Sequence, residues 1–193
     1  MRWLPIPQIL VALLVLFSCA EAWAHPGHEH PVEEVDEFDV DAFFSAAVHP
    51  FTGLDHLLAM LAVGVLACGG RFGVGIAFGG AVGAGFVSGL ASPPWLLGLS
   101  LVAVGCFLLK GVPVTRAWLH LAVAMIGFLH GGAHAGGMSG IASGLGLGAG
   151  TMAGVGLGAV LALGLRNLPP ALRFAGASVA AIGVLLTAAR LPL

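Results

Sequence analysis

The stretch HPFTGLDHLLAM, residues 49–60, places two imidazoles and a carboxylate, His49, Asp55 and His56, at the mouth of an apolar run. Further along, FLHGGAHAGG carries His130 and His134, which at i and i+4 share a helix face. Imidazole nitrogen with carboxylate oxygen suits a divalent ion such as Ni²⁺, Co²⁺ or Zn²⁺, whereas Cu(I) prefers sulfur. Asp55 is the costly member. A charged carboxylate at mid-bilayer depth costs roughly 2.5–3.5 kcal/mol even on the lenient insertion scale, so a partner must offset it.

Geometry constrains these candidates. In a straight helix His49 and His56 share a face but differ by about 10.5 Å in height. One ion can meet both only if the helix is distorted, which Gly53 permits. Without that distortion His49 is an entry ligand. Met60 is a soft neighbour of His56 or a packing residue, and His120 is an exit-path ligand or an interfacial residue. Plainer readings stand beside the metal site: Asp55 and His56 as a structural hydrogen-bonded pair, and His130 and His134 as packing histidines bonded to helix carbonyls.

The elements that must hold these residues are membrane elements. Apolar residues make up 59% of the chain and charged ones 8%, against about a quarter charged in a soluble globule. All the acidic residues lie at or before Asp55, and no basic patch suggests nucleic acid. The fold class expected is an all-α membrane protein of six transmembrane helices after a cleaved N-terminal signal peptide. Residues 1–24 read as that signal, with Arg2, an apolar core from Ile9 to Phe17, and Ala22-Trp23-Ala24 as the cleavage pattern.

Residues 25–48 read as a flexible, His- and acid-rich extracytoplasmic arm, too polar over most of its length to fold alone. Its His25, His28 and His30 are candidates for metal capture, and cleavage after Ala24 would add a free amine to the imidazole of His25. Residues 49–193 form the membrane domain. Spans are expected at about 50–68, 72–91, 94–110, 117–136, 141–165 and 171–189. The first opens with His49 as cap and Pro50 at the first helical position.

Charge orients the bundle. With the mature N-terminus outside, Arg71, Lys110, Arg116, Arg166 and Arg173 all fall in cytoplasmic connections, and only Arg190 falls outside. That topology brings the outer end of the first span to the depth of His130 and His134. Glycines at four-residue spacing, such as Gly75, Gly79 and Gly83, or Gly150, Gly154 and Gly158, read as faces for close helix packing.

AVHPFTGLDHLLAMLAVGVLA closely resembles the first-span signature of the HupE/UreJ family of nickel and cobalt permeases, its core being His49, Asp55 and His56. FLHGGAHAGG resembles that family's second histidine motif, and Arg173, Gly176 and Gly183 also fit. The likeness covers about His49 to Leu186. It implies a metal site of His49, Asp55, His56, His130 and His134, with Ni²⁺ or Co²⁺ as cargo and no resident cofactor. It also implies a bacterial inner-membrane location and a functional link to nickel enzymes such as hydrogenase and urease. The chain departs from the pattern at Gly137, where members often carry a glutamate. A third-span glutamate and a fifth-span histidine are missing too, which leaves selectivity and transport direction open.

The function expected is inward, potential-driven permeation of Ni²⁺ or Co²⁺, with the divalent ion and the lipid bilayer as partners and a homo-oligomer left open. One rival is a membrane metal sensor or accessory protein for a nickel enzyme that binds without transporting. A remote rival is an intramembrane serine protease, since Gly137-Met138-Ser139-Gly140 matches a GxSG pattern. Such an enzyme needs a base from a later helix, and no histidine follows His134, so no enzymatic activity is expected.

Overall fold

The structure, a computed structural model, describes residues 38–68, 72–111 and 117–192. The expected signal peptide, His25, His28 and His30, and the loop cations Arg71 and Arg116 lie outside the described residues. Seven helices make up the described chain: α1 Val40–Thr52, α2 Leu54–Ala67, α3 Phe72–Ser88, α4 Pro94–Lys110, α5 Ala117–Gly132, α6 Gly140–Leu165 and α7 Pro169–Arg190. The described residues contain no strand, only an isolated bridge between Ala135 and Met138. The all-helical class is as expected.

The first helix differs from expectation. It starts at Val40, inside the stretch assigned to a flexible arm, and Asp39 rather than His49 is its cap, accepting from the Ala42 amide at 2.8 Å. Pro50 lies within the helix, not at its start. The reason is tertiary. Phe43 and Ala47 press their backbone onto Gly146 and Gly150 of α6, where an added methyl group would collide with the Phe43 and Ala47 carbonyls. Charge composition marks residues 25–48 as an arm, but a helix needs only one apolar face and a partner to be ordered.

At Gly53 the chain breaks, and α2 leaves α1 at 82°. Gly53 is extended there, and its carbonyl accepts from the Leu57 amide at 2.9 Å, which opens α2. The distortion without which one ion could not meet both His49 and His56 is therefore present, and at Gly53.

Glycine sets how closely the other helices approach. On α4 and α7, Gly98 faces Gly183 and Gly105 faces Gly176, so these two run antiparallel. Phe78 and Val82 of α3 lie over Gly127 and Gly131 of α5, so those two run parallel. In α6, Gly154 and Gly158 receive Met60 and Leu61 of α2, again in parallel. This is the packing of helices in lipid, where small residues let backbones meet. Gly83 and Gly148 face open space instead and contribute nothing to packing.

The exterior is apolar, unlike that of a soluble bundle. Large apolar side chains such as Ile76, Leu121, Ile141, Val160, Phe174 and Leu185 are exposed, while Asp55, Ser100, His130, His134, Ser143 and Thr151 are buried. An apolar exterior over an apolar core that also holds these polar side chains suits a chain solvated by hydrocarbon. Among the described residues two helices, α6 and α7, are each long and apolar enough to cross a membrane, and the bent pair α1–α2 is so only when its two helices are counted as one span. The remaining three are apolar helices of 16 or 17 residues. α3 and α5 stop short of the expected 91 and 136. Gly89, at φ 67°, ends the first, and a turn through His134 and Gly137 follows the second.

Candidate metal-binding site

Asp55 is in the first turn of α2, directly after the break, and is 4% exposed. Its Oδ1 accepts from the His56 amide and the His56 ring Nδ1, both at 2.8 Å. A ring that donates from Nδ1 keeps its lone pair on Nε2 when neutral. The Nε2 of His56 points across to α5, 3.4 Å from the His130 carbonyl, too long for a strong bond. This carboxylate–imidazole pairing is the arrangement that fixes tautomer and orientation in metal-binding histidines.

His130 is fully buried one helix away, 1% exposed. The Ser100 hydroxyl of α4 donates to the Leu97 carbonyl at 2.7 Å, so its oxygen accepts from His130 Nε2–H at 2.9 Å. The lone pair of His130 is thereby assigned to Nδ1. That nitrogen has no hydrogen-bond partner, and neither does Nε2 of buried His134. Leaving a buried polar atom unsatisfied costs about 1–3 kcal/mol, so two in one cluster are a functional signal.

The rings converge. His56 lies 4.7 Å from both His130 and His134, and His49 lies 4.9 Å from His134, measured between ring centres. All five residues expected at the site, His49, Asp55, His56, His130 and His134, are therefore together. Even so, among the described residues no three His, Cys, Asp or Glu side chains are arranged to hold an ion simultaneously. A coordination sphere needs metal–nitrogen distances of about 2.0–2.1 Å.

Two outlying candidates fall elsewhere. Met60 is 2% exposed and packs over Gly154, so it is a core residue. His120 sits against Gly73, about 15 Å along α5 from His130, and is not part of the cluster.

Sequence reasoning missed two residues. Ser100, a hydroxyl in an apolar span, orients His130. Arg190, the last residue of α7, donates from Nη1 to Asp55 Oδ2 at 2.5 Å. In the sequence Arg190 is only the one cation expected on the outer side. A buried carboxylate with no other cation nearby in sequence was the available signal, because such a charge requires a partner.

A family model described as HupE / UreJ protein matches residues 11–186. The chain belongs to the HupE/UreJ family. No curated protein and no solved structure matches it. The family is associated with nickel and cobalt uptake or accessory function, and with hydrogenase and urease systems. In this HupE/UreJ chain the two histidine motifs that carried the resemblance are the ones that α2 and α5 bring face to face.

Proposed function

We propose that this HupE/UreJ protein is an inner-membrane permease that takes up Ni²⁺ or Co²⁺ through the cluster of His49, Asp55, His56, His130 and His134. The observation that carries the reading is the pair of buried imidazole nitrogens without partners, beside an Asp55–His56 pair whose ring lies 4.7 Å from both of the other imidazoles. Imidazole nitrogens and a carboxylate oxygen can replace part of the hydration shell of a borderline divalent ion, and they offer no sulfur that would favour Cu(I).

The topology in this proposal has six spans, α2 to α7, with the cluster at the extracytoplasmic end and a cleaved signal peptide upstream. The parallel packing of α3 with α5 and of α2 with α6, and the antiparallel packing of α4 with α7, support alternating spans. Entry is driven by the membrane potential. A divalent ion gains about 4.6 kcal/mol per 100 mV, twice the single-charge figure, which is more than three decades of concentration. The protein has no catalytic role and no resident cofactor in this reading. Ser139, the serine of the protease-like motif, is exposed at the N-terminal boundary of α6, without a side-chain capping bond.

The test is entry of radiolabelled nickel into proteoliposomes holding the purified protein, with and without an inside-negative potential. Cobalt, zinc and manganese serve as competitors. Potential-dependent entry supports the permease. Ion binding with no entry under either condition assigns the protein to the sensor or accessory class instead.

A further inference from the structure

Asp55 poses a problem that the cargo alone does not solve. Between transport events the ion is absent, yet the carboxylate stays buried in a bundle with an apolar exterior, where an uncompensated charge is strongly unfavourable. His56 satisfies only Oδ1. The second oxygen, Oδ2, is the one that could face an ion, and it is bonded to the guanidinium of Arg190.

Arg190 is placed to let go. It is the last residue of α7, and its side chain is 25% exposed against 6% for Asp55. A long flexible stem lets the charged head swing toward water. The carbonyls at the C-terminal end of α7 favour a cation there whether or not Asp55 is held. A divalent ion on Oδ2 would bring two like charges against the same oxygen, and in a low-dielectric site their repulsion is large. The arginine and the ion therefore exclude one another.

We propose that Arg190 is a tethered counter-cation that occupies the cargo's place on Asp55 in the ion-free protein and withdraws when an ion binds. This rests on the reading of the cluster as the cargo site. The arginine neutralises Asp55 when the site is empty, and it sets a threshold that an entering ion must exceed. Monovalent ions, with half the charge, compete less well for the same oxygen. The device also links the end of the last helix to occupancy of a site on the first span and the fourth.

The experiment measures equilibrium binding of Co²⁺ to the purified full chain, for wild type, Asp55→Asn, Arg190→Gln and Arg190→Lys. Apparent affinity falls in proportion to the fraction of molecules able to bind. If Arg190 holds Asp55 in at least about nine-tenths of ion-free molecules, Arg190→Gln binds about ten-fold tighter or more, with Arg190→Lys in between. Binding of Arg190→Gln at or below wild-type affinity, with Asp55→Asn defective, overturns the counter-cation and leaves the cargo site standing. Wild-type affinity in Asp55→Asn overturns the cargo site itself. Should Arg190→Gln not fold, the wild-type protein is treated with phenylglyoxal, which modifies arginine, and its modified positions are located by mass spectrometry. Saturating Co²⁺ is expected to speed modification at Arg190 and leave exposed Arg173 unchanged. No acceleration at Arg190 overturns the proposal.

Discussion

The guanidinium of Arg190 and the carboxylate of Asp55 meet at 2.5 Å across 135 positions of chain. The contact joins the end of the last helix to the start of α2, and the two partners are unequal. Asp55 is buried, whereas the Arg190 side chain is a quarter exposed at the end of α7. Removing the arginine leaves a charge stranded in the bundle, and removing the carboxylate does not. Arg190→Gln is therefore expected to lower the stability of the ion-free protein more than Asp55→Asn, by up to the roughly 3–5 kcal/mol typical of breaking a buried pair. The double variant should recover most of that loss. Thermal unfolding in detergent without metal measures all three.

Asp55 also orients His56, so its loss should reach the metal through the imidazole. Replacing a carboxylate that supports a metal-binding histidine typically costs about 10–100-fold in affinity. Asp55→Asn is expected to fall in that range or below it for Ni²⁺, and potential-driven entry should fall with it. Isothermal titration and vesicle flux on the same preparation check both.

Ser100 makes a narrower prediction. Its oxygen holds the proton of His130 on Nε2 and so keeps the lone pair on Nδ1. In Ser100→Ala the ring can take the other tautomer or rotate, and metal affinity is expected to fall about ten-fold, the low end for an outer hydrogen-bond partner. Ser100→Thr keeps the hydroxyl and should recover most of that affinity wherever its added methyl group is accommodated. Imidazole resonances of His130 in a ¹⁵N spectrum would report the tautomer directly.

Gly53 is needed for space. Its backbone lies at φ −90°, which any residue adopts, but a methyl group there would stand 3.1 Å from Asp55 Oδ1 and 3.3 Å from His56 Nδ1. Gly53→Ala is expected to spread that pair and weaken metal binding with little change in helix content. Circular dichroism alongside a binding isotherm separates the two effects.

The α4–α7 seam makes a contrasting case. Methyl groups at Gly105 or Gly176 would run into the backbone of the opposite helix. Gly105→Val is expected to displace α7, destabilise the protein and carry Arg190 away from Asp55. Gly148→Ala, in open space, should be silent. Detergent stability and cobalt binding, measured on both, distinguish a seam from a surface.

Much of this protein is legible in its sequence, and the reason is local chemistry. Apolar runs of helical length, broken by Gly-Gly, Pro-Pro and cationic turns, specify their helices without reference to the rest of the chain. Asp55 in an apolar run demands a partner wherever it ends up, and paired histidine motifs name the ligand chemistry. That one ion could meet both His49 and His56 only across a distorted helix follows from the helical rise, and Gly53 is the residue between them that permits one. What tertiary structure decided is everything that depends on which helices touch. The order of residues 40–49 comes from α6, which supplies glycines for α1 to lie on. The tautomer of His130 comes from Ser100 on α4, and the charge balance of Asp55 comes from Arg190 on α7. Those partners are dozens of residues away or more, and each is an unremarkable hydroxyl or terminal cation in the sequence. Only packing, which brings distant backbones to within a glycine's width of one another, gives them a role.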